Sequence, residues 1–178
     1  MSEHQHDVDS TRDERPRPRD LTADARLVTS MDTRITTIIP DDASRPGGHY
    51  SHAKRFGDLL FISGQLGVRP DGSHTFELPF EEQARQTIGN LLAVLRAGRA
   101  EPADILKVTA YIVGVGHWPR FNAVYAEVMG EAKPARTVVP VPELHHGYLV
   151  EVDAIAVCRG ANSGECASTA HSDSPAIE

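Results

Sequence analysis

The sequence predicts an α+β domain, one twisted β-sheet with two helices packed on one of its faces. Three observations predict it. Aliphatic and β-branched runs of strand length recur along the chain, two longer segments repeat apolar residues at helical spacing, and the segments follow the order ββ–α–β–α–ββ.

Arg34 to Ile39 is β-branched and reads as a strand, stopped by Pro40 and two aspartates. Tyr50 to Arg55 and Leu59 to Ser63 flank Phe56-Gly57-Asp58 and form a hairpin. Arg69-Pro70-Asp71-Gly72 is a turn by its Pro and Asp-Gly content. From Phe80 to Gly98 the apolar residues Ala84, Ile88, Leu91, Leu92 and Leu95 recur at helical intervals, so one face is buried. Pro79, Glu81 and Glu82 suit its first turn. Lys107 to Val113 is a strand, and His117 to Met129 a second helix with Phe121, Val124, Tyr125 and Val128 on one face. Gly130 ends that helix. Thr137 to Val141 and Leu149 to Val157 are the last strands.

Residues 1–32 read as a disordered tail. Thr11 to Asp20 mixes charges with two prolines and holds no apolar side chain, so burial cannot offset its ordering entropy. Its arginines are balanced by acids, which argues against a basic targeting arm, and Met31 is a second candidate start. Residues 159–178, rich in Ser, Ala and Gly, read as a second disordered tail, which leaves 33–158 as one domain. A chain of 178 residues suits that single domain. The net charge of −7 argues against nucleic acid or an anionic membrane as a partner. No apolar run reaches the roughly 20 residues that span a bilayer, and no signal-peptide core follows Met1. Cys158 and Cys166 form no disulfide framework. A cytoplasmic location is expected. A sheet covered on one side leaves the other bare, and Ile62, Val108, Val150 and Val152 suggest a bare face too apolar to stay wet. A homo-oligomer is therefore expected.

Six blocks carry a resemblance along nearly the whole domain. They are Gly48-His-Tyr-Ser-His-Ala53, Leu60-Phe-Ile-Ser-Gly-Gln65, Glu82-Gln-Ala-Arg-Gln-Thr87, Phe121-Asn-Ala-Val-Tyr125, Pro134-Ala-Arg-Thr137 and Val150-Glu-Val-Asp-Ala-Ile-Ala156. In this order and spacing they resemble the RidA/YjgF family of reactive intermediate deaminases. The resemblance implies a chorismate-mutase-like fold, a homotrimer with active sites between subunits, no cofactor, and a small imino or keto acid as ligand.

It also implies roles. Arg136 matches the family's substrate-binding arginine, and a planar guanidinium suits a carboxylate because its fork makes two parallel hydrogen bonds. An isolated arginine more often makes a surface salt bridge, a reading the Pro-Ala-Arg context sets aside. Val138 and Asn122 join it as substrate-binding positions, although an Asn early in a helix also caps or bonds locally. Glu151 matches the carboxylate that activates water for attack on the C=N carbon, and it alternates with Val150 and Val152 along its strand. The competing reading is a solvated edge-strand face. Tyr50 matches a pocket tyrosine whose hydroxyl orients substrate or water, and it is counted with Glu151 as catalytic. For Ser63-Gly64-Gln65, tight backbone packing is as good a reading as ligand contact.

The chain departs from the family pattern at His49 and His52, at Val138, and in the loop Leu144-His145-His146-Gly147. These departures bear on the substrate more than on the fold. Neutral imidazoles near the cleft suit acid–base work. A metal site is the rival reading, disfavoured because no His pair has helical ligand spacing and no cysteine joins them. Three functions follow: a housekeeping deaminase of 2-aminoacrylate- or 2-iminopropanoate-type substrates, an enzyme dedicated to one biosynthetic pathway (imine formation, cyclisation or dehydration), and a non-catalytic binding or chaperone-like trimer. The presence of both Arg136 and Glu151 favours an enzyme over the binder.

Overall fold

Alternating side chains make the strands, and the buried half of each alternation builds the core. The computed structural model describes residues 34–158; the predicted tails 1–32 and 159–178 lie outside the described residues. Six strands, β1 (Ile35–Ile38), β2 (Ala53–Phe56), β3 (Leu59–Gln65), β4 (Ile105–Val113), β5 (Ala135–Val141) and β6 (Val150–Val157), form one sheet in the order β1-β2-β3-β6-β4-β5. Every pairing is antiparallel except β4 with β5. Helix α1 (Phe80–Ala97) bridges β3 to β4, and α2 (Trp118–Met129) bridges β4 to β5. Three strands precede α1: the predicted Arg34–Ile39 strand is β1 (Ile35–Ile38), paired with the edge of the hairpin, so the ββ–α–β–α–ββ order is one strand short of its own elements.

On β6 the residues Val150, Val152, Ala154 and Ala156 are buried while Glu151, Asp153, Ile155 and Val157 are not. On β4, Val108, Ala110 and Ile112 are buried in the same way. These side chains meet Ala84, Ile88, Leu91 and Leu95 of α1 and Phe121 and Val124 of α2 in a single core. Full burial of one such leucine contributes roughly 1.5–3 kcal/mol. This overturns one expectation: Ile62, Val108, Val150 and Val152 lie under the helices, not on the bare face. The bare face instead mixes apolar Phe61, Ile155 and Val157 with Lys107, Thr109, Tyr111, Glu151 and Asp153. The sequence pattern shows that two faces alternate; it does not say which one the helices cover.

Two buried amides on α1 fix the loops above the sheet. Gln83 donates through its amide to the carbonyls of Phe76 and Leu78, each at 2.9 Å, and accepts from the Leu149 backbone N–H at 3.0 Å. Asn90 donates to the carbonyls of Leu66 and Val68, each at 2.7 Å. A buried polar group is retained only when its partners are met, so these bonds set where the chain leaves β3 and enters β6. A single 3₁₀ turn, Val115–His117, leads into α2, which starts one residue later than predicted. Its end is the predicted Gly130, at φ 57°, where a side chain would be strained. Among the described residues no helix is long and apolar enough to cross a membrane.

Candidate active site

Glu151 points away from the helices. It is paired across β4 with Tyr111, and Asp153 accepts a hydrogen bond from the Tyr111 hydroxyl at 3.1 Å. Burial pushes the Glu151 carboxyl above the ordinary glutamate value; Asp153 pushes the same way and His145 opposes them. Opposite Glu151, β3 bulges between Ile62 and Gln65 and brings Gly64 against it. A Cβ at Gly64 would collide with Glu151 Oε1, so only glycine leaves room for the carboxylate there.

Tyr50 does not lie in a strand as predicted. It sits in the bend before β2 and is 50 % exposed. That bend is latched to β3: Ser63 Oγ donates to the Ser51 carbonyl at 2.7 Å, and the Ser63 N–H donates to the His52 carbonyl at 2.9 Å. The latch brings Tyr50 to the wall of a cavity of about 450 Å³, with Ser63, Gly64, His145, His146 and Glu151 around it.

Arg136 occupies the other side of the sheet. Its register partner on β4 is Val108, a core residue beneath the helices. The guanidinium lies 4.5 Å from the Tyr125 ring centre and 5.7 Å from that of Phe121, both on α2, and Nη2 donates to Asn122 Oδ1 at 2.8 Å. Among the described residues no carboxylate pairs with it. Val138, Ile112, Val115, Trp118 and Pro140 complete an apolar cavity of about 320 Å³ around this cation. The structure thus gathers Arg136, Asn122 and Val138 into one half-site and Tyr50 and Glu151 into another. It separates the two by the thickness of its own sheet.

This fold and these blocks have known counterparts. The family model described as endoribonuclease L-PSP matches residues 41–158. The chain belongs to this family. YjgF/RidA is its other name, and the crystal structure of the E. coli YjgF gene product matches with a TM-score of 0.66 at 30 % identity, covering 70 % of this chain and 99 % of that one. A RutC family protein of Pyrococcus horikoshii is 38 % identical over 119 residues, 67 % of this chain and 94 % of its own. A protein of Dermatophagoides farinae named 2-iminobutanoate/2-iminopropanoate deaminase is 33 % identical over 115 residues, 65 % of this chain and 90 % of its own.

Within this YjgF/RidA domain the four noted histidines part company. His52 is only 5 % exposed, and its Nε2 bonds the Ser44 carbonyl at 2.7 Å, so it holds the 44–52 loop and is no surface acid–base group. His49 is exposed and lines neither cavity described above. His145 and His146 do face Glu151's cavity, in a turn where His146 takes φ 59°. Among the described residues no three His, Cys, Asp or Glu side chains group as metal ligands.

Sequence reasoning missed one wall residue and undervalued another. Trp118, 52 % exposed beside Arg136, reads from the sequence as an ordinary helix start. Gly64 was assigned to backbone packing as readily as to the site, yet its lack of a side chain is what seats Glu151. Gly64→Ala should therefore fold, since the atom it strikes ends a flexible side chain, but displace the carboxylate. Thermal melts should stay within a few degrees of wild type while imine hydrolysis falls about tenfold or more. Unchanged turnover would separate Glu151 from the reaction.

Proposed function

We propose that this chain is an imine deaminase that hydrolyses 2-imino acids to 2-keto acids and ammonia without a cofactor. Its active sites would form between the subunits of a homotrimer. The observation that carries the reading is the pair of complementary half-sites on opposite faces of one sheet. One offers an unpaired guanidinium in an apolar cavity; the other offers a carboxylate whose pKa burial has raised. A 2-imino acid needs both. Arg136 grips the substrate carboxylate with its fork, and Asn122 holds that fork in place. Glu151 removes a proton from water as the water oxygen bonds to C2 and the C=N π electrons move to nitrogen. Protonated Glu151 then passes its proton to the carbinolamine nitrogen, and as the C–N bond breaks and ammonia leaves, the freed carboxylate takes the hydroxyl proton, so that the C=O bond of the keto acid forms. Tyr50 orients water or substrate through its hydroxyl. Proximity and one placed base suffice because a protonated imine is already electrophilic. The deaminase name of the Dermatophagoides relative supports the same reading. The net charge of −7 does not favour RNA as the substrate. The test is 2-keto acid release when an amino acid oxidase or threonine dehydratase generates the imine in situ. No acceleration over the spontaneous reaction would sink the proposal.

The raised Glu151 pKa gives the reading a pH signature. A general base works only when ionised, so kcat/KM should fall on the acid side through a pKa above glutamate's ordinary 4.5. The charge of His145 opposes the effect of burial on Glu151, so His145→Asn should move that limb to higher pH. A limb unmoved by His145→Asn would show that the two groups do not interact. Stability runs the opposite way to activity. A carboxyl that binds its proton more tightly folded than unfolded adds stability at low pH, and that contribution is lost as pH rises through the folded pKa. Glu151→Gln should accordingly not lower the melting temperature at neutral pH, which keeps a loss of activity interpretable.

A further inference from the structure

The cavity beside Glu151 does not end at His146. Gly47, Tyr50, Gly64, Leu66 and His146 also line a second cavity, of about 550 Å³, which continues along the loop after β3 to Arg45 and His74. Pockets that enclose whole drug-sized ligands run roughly 300–1,000 Å³. The smallest imino acids leave most of this space empty.

Three side chains on the second wall, Arg45, His74 and His146, can offer donors. The Tyr148 hydroxyl accepts from the Thr75 N–H at 3.2 Å, and its other neighbour is His74 Nδ1 at 3.1 Å. Tyr148 is buried and has one proton to give, so it donates to Nδ1, which leaves His74's own proton on Nε2. The His146 ring centre lies 5.0 Å from that of His74. Arg45 is exposed and makes no ion pair among the described residues. Acceptors line it as well: Asp71 Oδ1 takes the Ser73 N–H at 2.9 Å, Asn90 Oδ1 takes the Gln86 amide at 2.8 Å, and buried His52 Nδ1 has no hydrogen-bond partner among the described residues.

We propose that this second cavity receives the substrate's side chain and that Arg45, His74 and His146 select side chains ending in a carboxylate, making the preferred substrate a dicarboxylic 2-imino acid. The inference rests on the deaminase reading for the chemistry at Glu151 but makes its own claim about binding. A guanidinium and an imidazole N–H on one wall favour an anion, and a neutral aliphatic tail gains nothing from them.

The experiment is calorimetric titration of 2-oxoadipate and of its length-matched neutral counterpart, 2-oxohexanoate, into the wild-type protein and into Arg45→Ala/His74→Asn. Hydrolysis of the two corresponding imines, generated in situ by an amino acid oxidase, is followed alongside. Wild type should bind the dicarboxylate about tenfold more tightly or better, and the double variant should bring the two ligands to within about twofold. The variant should leave hydrolysis of the neutral imine unchanged, because neither residue lines the Glu151 cavity. Equal affinities in wild type, or a preference that survives in the double variant, would overturn the subsite. A carboxylate preference lost in the variant, with neither imine hydrolysed by wild type, would uphold the subsite and overturn the deaminase reading instead.

Discussion

Arg136→Ala is expected to remove nearly all imine turnover while folding and assembly stay intact. The guanidinium contributes little to the core: it lies over the Tyr125 and Phe121 rings and bonds Asn122, and no carboxylate depends on it among the described residues. Stacking of that kind stabilises by about 0.5–1 kcal/mol at exposed sites, so the melting temperature should shift only a few degrees. Its contribution to the reaction is larger. Losing a charge-assisted bond to a substrate ion in a closed cleft costs on the order of 2–5 kcal/mol, or roughly a thirty- to several-thousand-fold loss of rate. Arg136→Lys keeps the charge but not the planar fork, and an ammonium cannot accept the same geometry from Asn122 and the ring faces. It should recover only a small part of the loss. Steady-state kinetics in the coupled imine assay, with the melting curve beside them, decide the matter. Wild-type turnover in Arg136→Ala would leave the deaminase reading resting on fold alone.

A mixture of two inactive variants should regain activity, and this follows from the sheet itself. Arg136 points to the helix side and Glu151 to the bare side of the same six strands, so one chain does not present both to one ligand. If each site pairs Glu151 of one subunit with Arg136 of the next, Arg136→Ala and Glu151→Gln homo-oligomers are each dead but complementary. Random mixing by co-refolding should leave both native groups in about a quarter of the sites, with activity near that fraction of wild type. Glu151→Gln alone should still bind a 2-keto acid, since the anchor is kept while the base is lost. Activity in the mixture no greater than in either variant by itself would refute a site shared between subunits.

Much of this was legible in the sequence. Apolar spacing within Phe80–Ala97 and Trp118–Met129, and alternation within Val150–Val157, identified both helices and the strand that carries Glu151, because these patterns follow from the geometry of a helix and a strand alone. The candidate site residues were named from the family resemblance, which supplied their positions in the chain but not their arrangement. Three things were decided only by tertiary structure. Which face of the sheet the helices cover put Ile62, Val108, Val150 and Val152 in the core rather than on the bare side, a choice that period-two alternation leaves undetermined. The bulge in β3 brought Gly64 against Glu151, and a bulge depends on how two distant strands register, not on either one's composition. The sheet also parted Arg136 from Glu151 while drawing His74 to Tyr148, 74 residues away along the chain. The sequence names the candidate side chains; the folded backbone sets which of them share a cavity, because that depends on long-range pairing rather than on local spacing.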